Sequence, residues 1–451
     1  MRGNNATQNL LLNPGGPGGG GFDLLYRRGE VNSSTPVASC YPDDKTRQEL
    51  SRVRSLDVLG DSPEVYAWAQ NFARACHDTM GEYGKYLNTP QTAADMNSIL
   101  DALGQEDMIY LGFSYGTLLG QTYAGLFPER STRVIIDGVV NQFERYEGLF
   151  EAQSLVDADT VLYGFFDECI KGGVDNCPLA SLATPTEELR DTVLSYMDTL
   201  REQPISVYIN NSVYGLLDYE KEWYNRFFEA LNKPPLWTAL AHNIYKLILG
   251  NATDAFLAYG IEEVRDWRHE ANEFITLNDG ISGPEHWPQD RQAFLDKIAP
   301  LFNHSLFSSG QSKTHYMRQQ WVVPKTHSYV PRKGIKTAHP LLILSTTYDP
   351  VCPLIAARSA NEAFEGSQVV EVQGYGHCSV AVPSVCIAKH VRAFLYEGLL
   401  PDSYAKCEVD SPYFGPVSAH RHFEDAEEAR IHLAQEQLAR DWEYFAPVRS
   451  L

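Results

Sequence analysis

The sequence predicts an α/β fold, a mostly parallel sheet flanked by helices, and three observations point that way. Short apolar, β-branched runs recur at 108–111, 134–136, 341–344 and 369–372, and turn residues such as Gly112, Asp137-Gly138, Asp349-Pro350 and Gly374 follow them. The stretch between the first two runs, TLLGQTYAGLFPER, has apolar positions at helical spacing. Finally, 451 residues that are 43% hydrophobic and 12% aromatic carry enough apolar surface to offset the entropy of ordering a large domain.

The alternation of strand and helix is the signature of a parallel sheet covered on both faces. It fades between Asn141 and about Lys336, where Tyr, Trp and Phe are frequent and the periodicity is helical, as in FFEALNKPPLWTALAHNIYKLIL. This segment reads as a large helical cap inserted between core strands. The alternative is an independent second domain, although no flexible linker marks either edge. The expected organisation is thus a first core section at 1–140, a cap at 141–335, a second core section at 336–415 and a tail at 416–451. The tail places Ile431, Ala434, Leu438, Trp442 and Phe445 on one face of an amphipathic helix.

The charge balance of 37 basic against 58 acidic residues, a net −21, argues against nucleic acid or anionic membrane surfaces as partners. No run of 18 apolar residues is present, so no spanning helix is expected. Eight cysteines, none in a paired C-x-x-C spacing, suit disulfides better than a metal, and no metal or cofactor is expected. Sequons at Asn5, Asn32, Asn210, Asn251 and Asn303 suit a secreted glycoprotein. Against this, the first residues lack the apolar core and small-residue cleavage site of a signal peptide. The expectation is a cytoplasmic protein if that start is genuine and a secreted one if it is not.

The chemistry centres on Gly112-Phe-Ser-Tyr-Gly116, where an apolar strand runs into a periodic helix through a G-x-S-x-G turn. Small residues on both sides let strand and helix approach, so the Ser114 hydroxyl is lifted out of the sheet as a candidate nucleophile. Serine needs a base to take its proton. Of thirteen histidines, His377 stands out because it follows a strand within Gly374-Tyr-Gly-His377. The acid that would orient it is Asp349, at the end of a buried strand in STTYDPVCPL and 28 residues before the histidine. The chain order Ser, Asp, His is that of the α/β-hydrolase arrangement. Asp137 also ends a strand after the nucleophile and competes for the role.

The glycine run Asn13 to Gly21 follows an apolar stretch at 10–12. Its backbone N–H groups are free to turn toward a ligand and supply a second oxyanion donor. A flexible linker is the plainer reading, and a phosphate loop fails because no Gly-Lys-Ser/Thr follows.

Four motifs in this order, Asn-Pro-Gly-Gly-Pro-Gly, Gly-Phe-Ser-Tyr-Gly-Thr, Tyr-Asp-Pro-Val-Cys-Pro-Leu and Gly-His-Cys-Ser, spread over most of residues 8 to 415. With them the chain resembles the tripeptidyl aminopeptidase-like α/β hydrolases, relatives of prolyl aminopeptidase. The resemblance implies Ser114, Asp349 and His377 as the triad and the N–H groups of Gly16 and Tyr115 as the oxyanion hole. It implies a largely secreted enzyme of fungal or bacterial type, acting on short peptides from a free N-terminus or on small esters and amides. It also implies the cystine pairs Cys40 with Cys76, Cys169 with Cys177, and Cys386 with Cys407. Three departures stand out. The family's signal peptide and first strands have no counterpart, and the helix expected after the glycine loop is missing, since Gly21 runs directly into FDLLYRRG. Cap cysteines expected near Leu277 and Met317 are also absent, which leaves Cys352 and Cys378 without an evident partner.

Overall fold

The computed structural model describes residues 8–17, 36–148, 153–260, 267–415 and 423–442. Its main sheet has six strands: β1 (Leu10–Asn13), β2 (Met108–Phe113), β3 (Ser131–Asp137), β6 (Leu342–Tyr348), β7 (Gln368–Tyr375) and β8 (Ala405–Glu408), hydrogen-bonded in that order. Every neighbouring pair is parallel. The apolar runs of the sequence fall on the first five, the run at 341–344 starting one residue before β6. They form strands because Val, Ile and Leu on both faces are covered by helices, the environment of a central parallel strand. On one face Ile136, Ile343 and Val369 pack with Leu119 and Tyr123 of the helix Tyr115–Leu126. On the other, Ile135, Leu344 and Val370 pack with Ile387 and Phe394 of the helix Val385–Glu397.

β8 escaped the sequence reading because its four residues, Ala-Lys-Cys-Glu, are largely polar. They suffice at a sheet edge, where Cys407 is bonded to Cys386 of the adjacent helix. A second omission lies in the stretch between β3 and β6. That segment is mainly helical but also holds an antiparallel hairpin, β4 (Ile205–Asn210) with β5 (Val213–Leu217). Tyr208 stands opposite Tyr214 across it, and the aromatic and β-branched alternation outweighs the helical character of its surroundings.

The inserted segment has a core of its own, in which Phe165, Phe166, Phe227 and Trp237 meet largely edge to face. A further cluster joins Phe72 of the helix Ser62–Met80 to Phe274, Tyr316 and Trp321, so the chain before β2 and the end of the insertion share one interior.

All three cystine pairs implied by the resemblance are formed. Among the described residues, no helix is long and apolar enough to cross a membrane.

The C-terminal helix Ala426–Asp441 departs from its expected stripe. Its buried positions are His432, Glu436 and Ala439, followed by Trp442, whereas Ala434 and Leu438 are exposed. The polar face meets partners from outside the helix: Ser411 Oγ donates to Glu436, and Phe423 packs on the His432 ring at 5.0 Å, while His432 and Glu436 pair along the helix at 3.4 Å. The segment FDLLYRRG, the sequons at Asn5 and Asn32, and Phe445 lie outside the described residues.

Candidate active site

The site forms at the C-terminal ends of β2, β6 and β7. β2 delivers Ser114 at φ 53° and ψ −123°, a backbone conformation that L-residues rarely adopt and that a sharp turn into the following helix demands. The turn is held on both sides. Ser114 N–H donates to the Asp137 carbonyl at 3.0 Å, and the Ser114 carbonyl accepts from the Thr117 N–H at 2.8 Å and the Thr117 hydroxyl at 2.6 Å. Gly112 has to be glycine, since a Cβ there would stand 2.4 Å from the Gly116 carbonyl oxygen.

His377 Nδ1 lies 2.9 Å from each carboxylate oxygen of Asp349, and both side chains are fully buried. Asp349 is itself fixed: Oδ1 accepts from the Val351 and Cys352 N–H groups at 2.9 and 2.8 Å, and Oδ2 accepts from the Cys378 N–H at 2.9 Å. Held by these donors, the carboxylate presents both oxygens as acceptors to the facing imidazole nitrogen. The His377 N–H donates to the Asn232 carbonyl at 2.9 Å, which ties this loop to the inserted segment. Cys352 neighbours Ser114, whose side chain works to lower the thiol pKa against the larger effect of burial. Cys352 and Cys378 are buried free thiols, and burial pushes both well above the usual thiol range.

Asp137 does something else. Its carboxylate accepts from the Ser379 N–H and the Ser379 hydroxyl, each at 2.7 Å, and so pins the loop just beyond the histidine. Burial pushes its pKa up to about 6, with the Ser379 bonds working against that and the nearby Asp349 charge adding to it.

The glycine loop lies directly on the elbow. Asn13 pairs with Gly112, and its side chain accepts from the Gly15 N–H at 2.9 Å. A Cβ on Gly15, at φ +106°, would come within 2.8 Å of the Phe113 carbonyl, 2.9 Å of Ser114 Cβ and 3.4 Å of the Tyr115 nitrogen. Gly16 follows at φ +112°. The Pro17 carbonyl accepts from Asn272 at 2.9 Å, which anchors the loop to the helix Trp267–Asp279. The motif pointed to this loop, but only the fold singles out Gly15 as the residue that touches the elbow.

The Tyr115 side chain points away into a buried network. Its hydroxyl and that of Thr89 are 2.7 Å apart, and Thr89 donates to Asp279 through N–H and hydroxyl, each at 2.7 Å. Burial, reinforced by the Asp279 charge, pushes the Tyr115 phenol far up, so it remains a neutral hydrogen-bonding group. Nothing in the sequence flagged Asp279 or Asn232, because their roles arise only from segments far apart in the chain. Asp349, His377 and Cys378 have ligand-type atoms within 4.8 Å of one another. That proximity follows from the hydrogen bonds Asp349 makes to the other two, which already commit its oxygens.

A parallel sheet with a strained serine turn, and a buried carboxylate-imidazole pair beside it, defines the α/β-hydrolase class. Residues 62–160 match the family model described as alpha/beta hydrolase fold, and residues 304–407 match that described as TAP-like protein. The chain thus carries the α/β-hydrolase fold with a region similar to TAP-like proteins, and it is an enzyme of the serine-hydrolase kind. It is 28% identical to serine protease Hip1 of Mycobacterium tuberculosis over 434 residues, covering 88% of this chain and 80% of the relative. It is 24% identical to the tripeptidyl aminopeptidase of Streptomyces lividans over 422 residues, covering 86% and 74%. A solved structure, the α/β hydrolase MGS-M2 from a deep-sea metagenome library, aligns over 70% of this chain and 74% of that one, with a TM-score of 0.28 and 14% identity.

Proposed function

We propose that the protein cleaves short peptides near a free N-terminus, or comparable small amides and esters, by acyl transfer through Ser114. The observation that carries the reading is the buried Asp349 carboxylate set symmetrically on His377 Nδ1 at the sheet edge that also presents Ser114 on its strained turn. His377 takes the hydroxyl proton through Nε2 as the Ser114 oxygen bonds to the substrate carbonyl carbon, and Asp349 stabilises the imidazolium. Backbone N–H groups of Gly16 and Tyr115 receive the oxyanion. The imidazolium then protonates the leaving amine or alcohol, and water, deprotonated by His377, releases the acyl group and regenerates Ser114.

The insertion at 141–335 roofs the site as a cap. A substrate with a free α-amino group needs a carboxylate there, and Asp157, whose pKa burial and the Asp349 charge push up to about 6, is the candidate. Binding an ammonium group would reverse that shift. The peptide reading is favoured over a purely esterolytic one by the similarity to a protein named tripeptidyl aminopeptidase. Three disulfides and the exposed sequons at Asn210, Asn251 and Asn303 support a secreted glycoprotein.

The test pairs a fluorophosphonate probe with two substrate classes. Wild-type protein is expected to be labelled at Ser114 and Ser114→Ala not at all, with tripeptidyl p-nitroanilides turned over faster than p-nitrophenyl esters. A folded wild-type protein inert to the probe would remove the nucleophile assignment. Ester turnover without anilide turnover would replace the peptidase reading with an esterase.

A further inference from the structure

Resting on the assignment of His377 as general base, we propose that Trp442, beyond the C-terminal helix, is a positioning residue for that base. The cap residues Asn232 and Lys233 fasten the two together. The Trp442 indole is buried with its centroid 6.2 Å from the His377 ring at 36° and 5.9 Å from the Phe113 ring at 52°. It therefore touches the residue before the nucleophile and the candidate base at once, and shares an apolar cluster with Cys378.

The indole is held there by the chain on either side of it. Lys233 Nζ donates to the carbonyl of Arg440 at 2.8 Å and to that of Trp442 at 2.6 Å. Those carbonyls lie at the end of the helix Ala426–Asp441, where orphan acceptors and the helix dipole both favour a cation. The residue next to Lys233, Asn232, accepts the His377 N–H at 2.9 Å. Two consecutive cap residues thus grip the histidine loop and the C-terminal segment, and the indole fills the space between them. At its other end the helix is tied to Val385–Glu397 by Lys389 with Glu428 and Arg392 with Glu427.

The physical need is clear from the hydrogen bonds. Asp349 fixes one edge of the imidazole through Nδ1, and turning the ring about its bond to Cβ would break that contact, so packing against the ring face supports the same orientation. A bulky neighbour against the ring removes the alternative rotamers, and placement errors of about 1 Å cost roughly a hundredfold in rate. A ring face near the imidazolium also attracts the positive charge that forms during catalysis.

The experiment uses full-length Trp442→Ala, Trp442→Phe and Lys233→Met proteins, read by the rate of fluorophosphonate labelling, by kcat and KM, and by thermal unfolding. Trp442→Ala is expected to lower kcat and the labelling rate roughly 30-fold with KM within about threefold, and Trp442→Phe to restore them to within about fivefold. Lys233→Met is expected to lower both by roughly three- to tenfold, and it creates no core cavity, so it serves if Trp442→Ala does not fold. A lower melting temperature with an unchanged rate per labelled site would make the indole merely structural and overturn the proposal. A rise in kcat would also overturn it, by showing that the tail occupies the substrate's place. Wild-type protein that resists the probe would instead remove the serine assignment on which the proposal stands.

Discussion

The carboxylate of Asp349 faces His377 Nδ1 with both oxygens at 2.9 Å, and three backbone N–H groups complete its shell. The arrangement commits the Nδ1 edge of the imidazole to Asp349. Replacing Asp349 by Asn puts an amide where two oxygens now accept, so the wrong tautomer is favoured. Asp349→Asn should lower kcat about 10³ to 10⁴-fold. Steady-state kinetics on folded protein checks this, and a loss of less than tenfold would mean that another group orients the histidine.

Asp137 separates the two candidate acids. Its carboxylate serves Ser379, and burial raises its pKa to about 6. An Asn can still accept the Ser379 N–H and meet its hydroxyl with the amide, so Asp137→Asn should keep kcat within about tenfold of wild type, since it deletes no group of the triad. Its stability effect has a definite sign. A carboxyl whose pKa is raised on folding stabilises the native state at low pH, and that contribution is lost as pH rises from about 4 through about 6. Above that window Asp137→Asn should be the more stable protein by roughly 2 to 3 kcal/mol, and below it the difference should vanish. Denaturant titrations at pH 4 and pH 7.5 give the two values.

Gly15 tests the loop. With φ at +106° and neighbours at 2.8 and 2.9 Å, a methyl group there forces the loop off the elbow. Gly15→Ala should therefore displace the backbone donors beside Ser114 and lower kcat by about 10² or more, while KM changes little. An unchanged kcat would place the oxyanion donors elsewhere.

Most of the sheet was legible because central parallel strands are written as apolar, β-branched runs, and those runs are where β1, β2, β3, β6 and β7 lie. The meeting of Asp349 with His377 was legible for the same reason, since side chains at the C-terminal ends of such strands converge. β8 and the hairpin carried no such signal: one is four residues long at an edge, the other sits among helices. The C-terminal helix was misphased because the reading followed Leu438 and Ala434, while the structure buries the paired His432 and Glu436. Asn232, Asp279 and Lys233 act through hydrogen bonds between segments far apart in sequence, which periodicity and motif cannot reveal.

Glu222 gives the clearest pH dependence in the insertion. It is fully buried, and neither carboxylate oxygen has a hydrogen-bond partner among the described residues. Burial pushes its pKa up to about 8, and the attraction of Arg226 only partly offsets this. The native state therefore takes up a proton that the unfolded chain has released. Its stability contribution is present below about pH 4.5 and is lost progressively as pH rises through about 8. Glu222→Gln keeps the shape and removes the charge. The variant should match wild type at pH 4 to 4.5 and exceed it by roughly 2 to 4 kcal/mol at pH 9, the higher figure being reduced by the lost Arg226 interaction. Urea unfolding across that range measures it. A constant difference between the two proteins at all pH values would show that Glu222 ionises normally, and so that water or a polar partner reaches it.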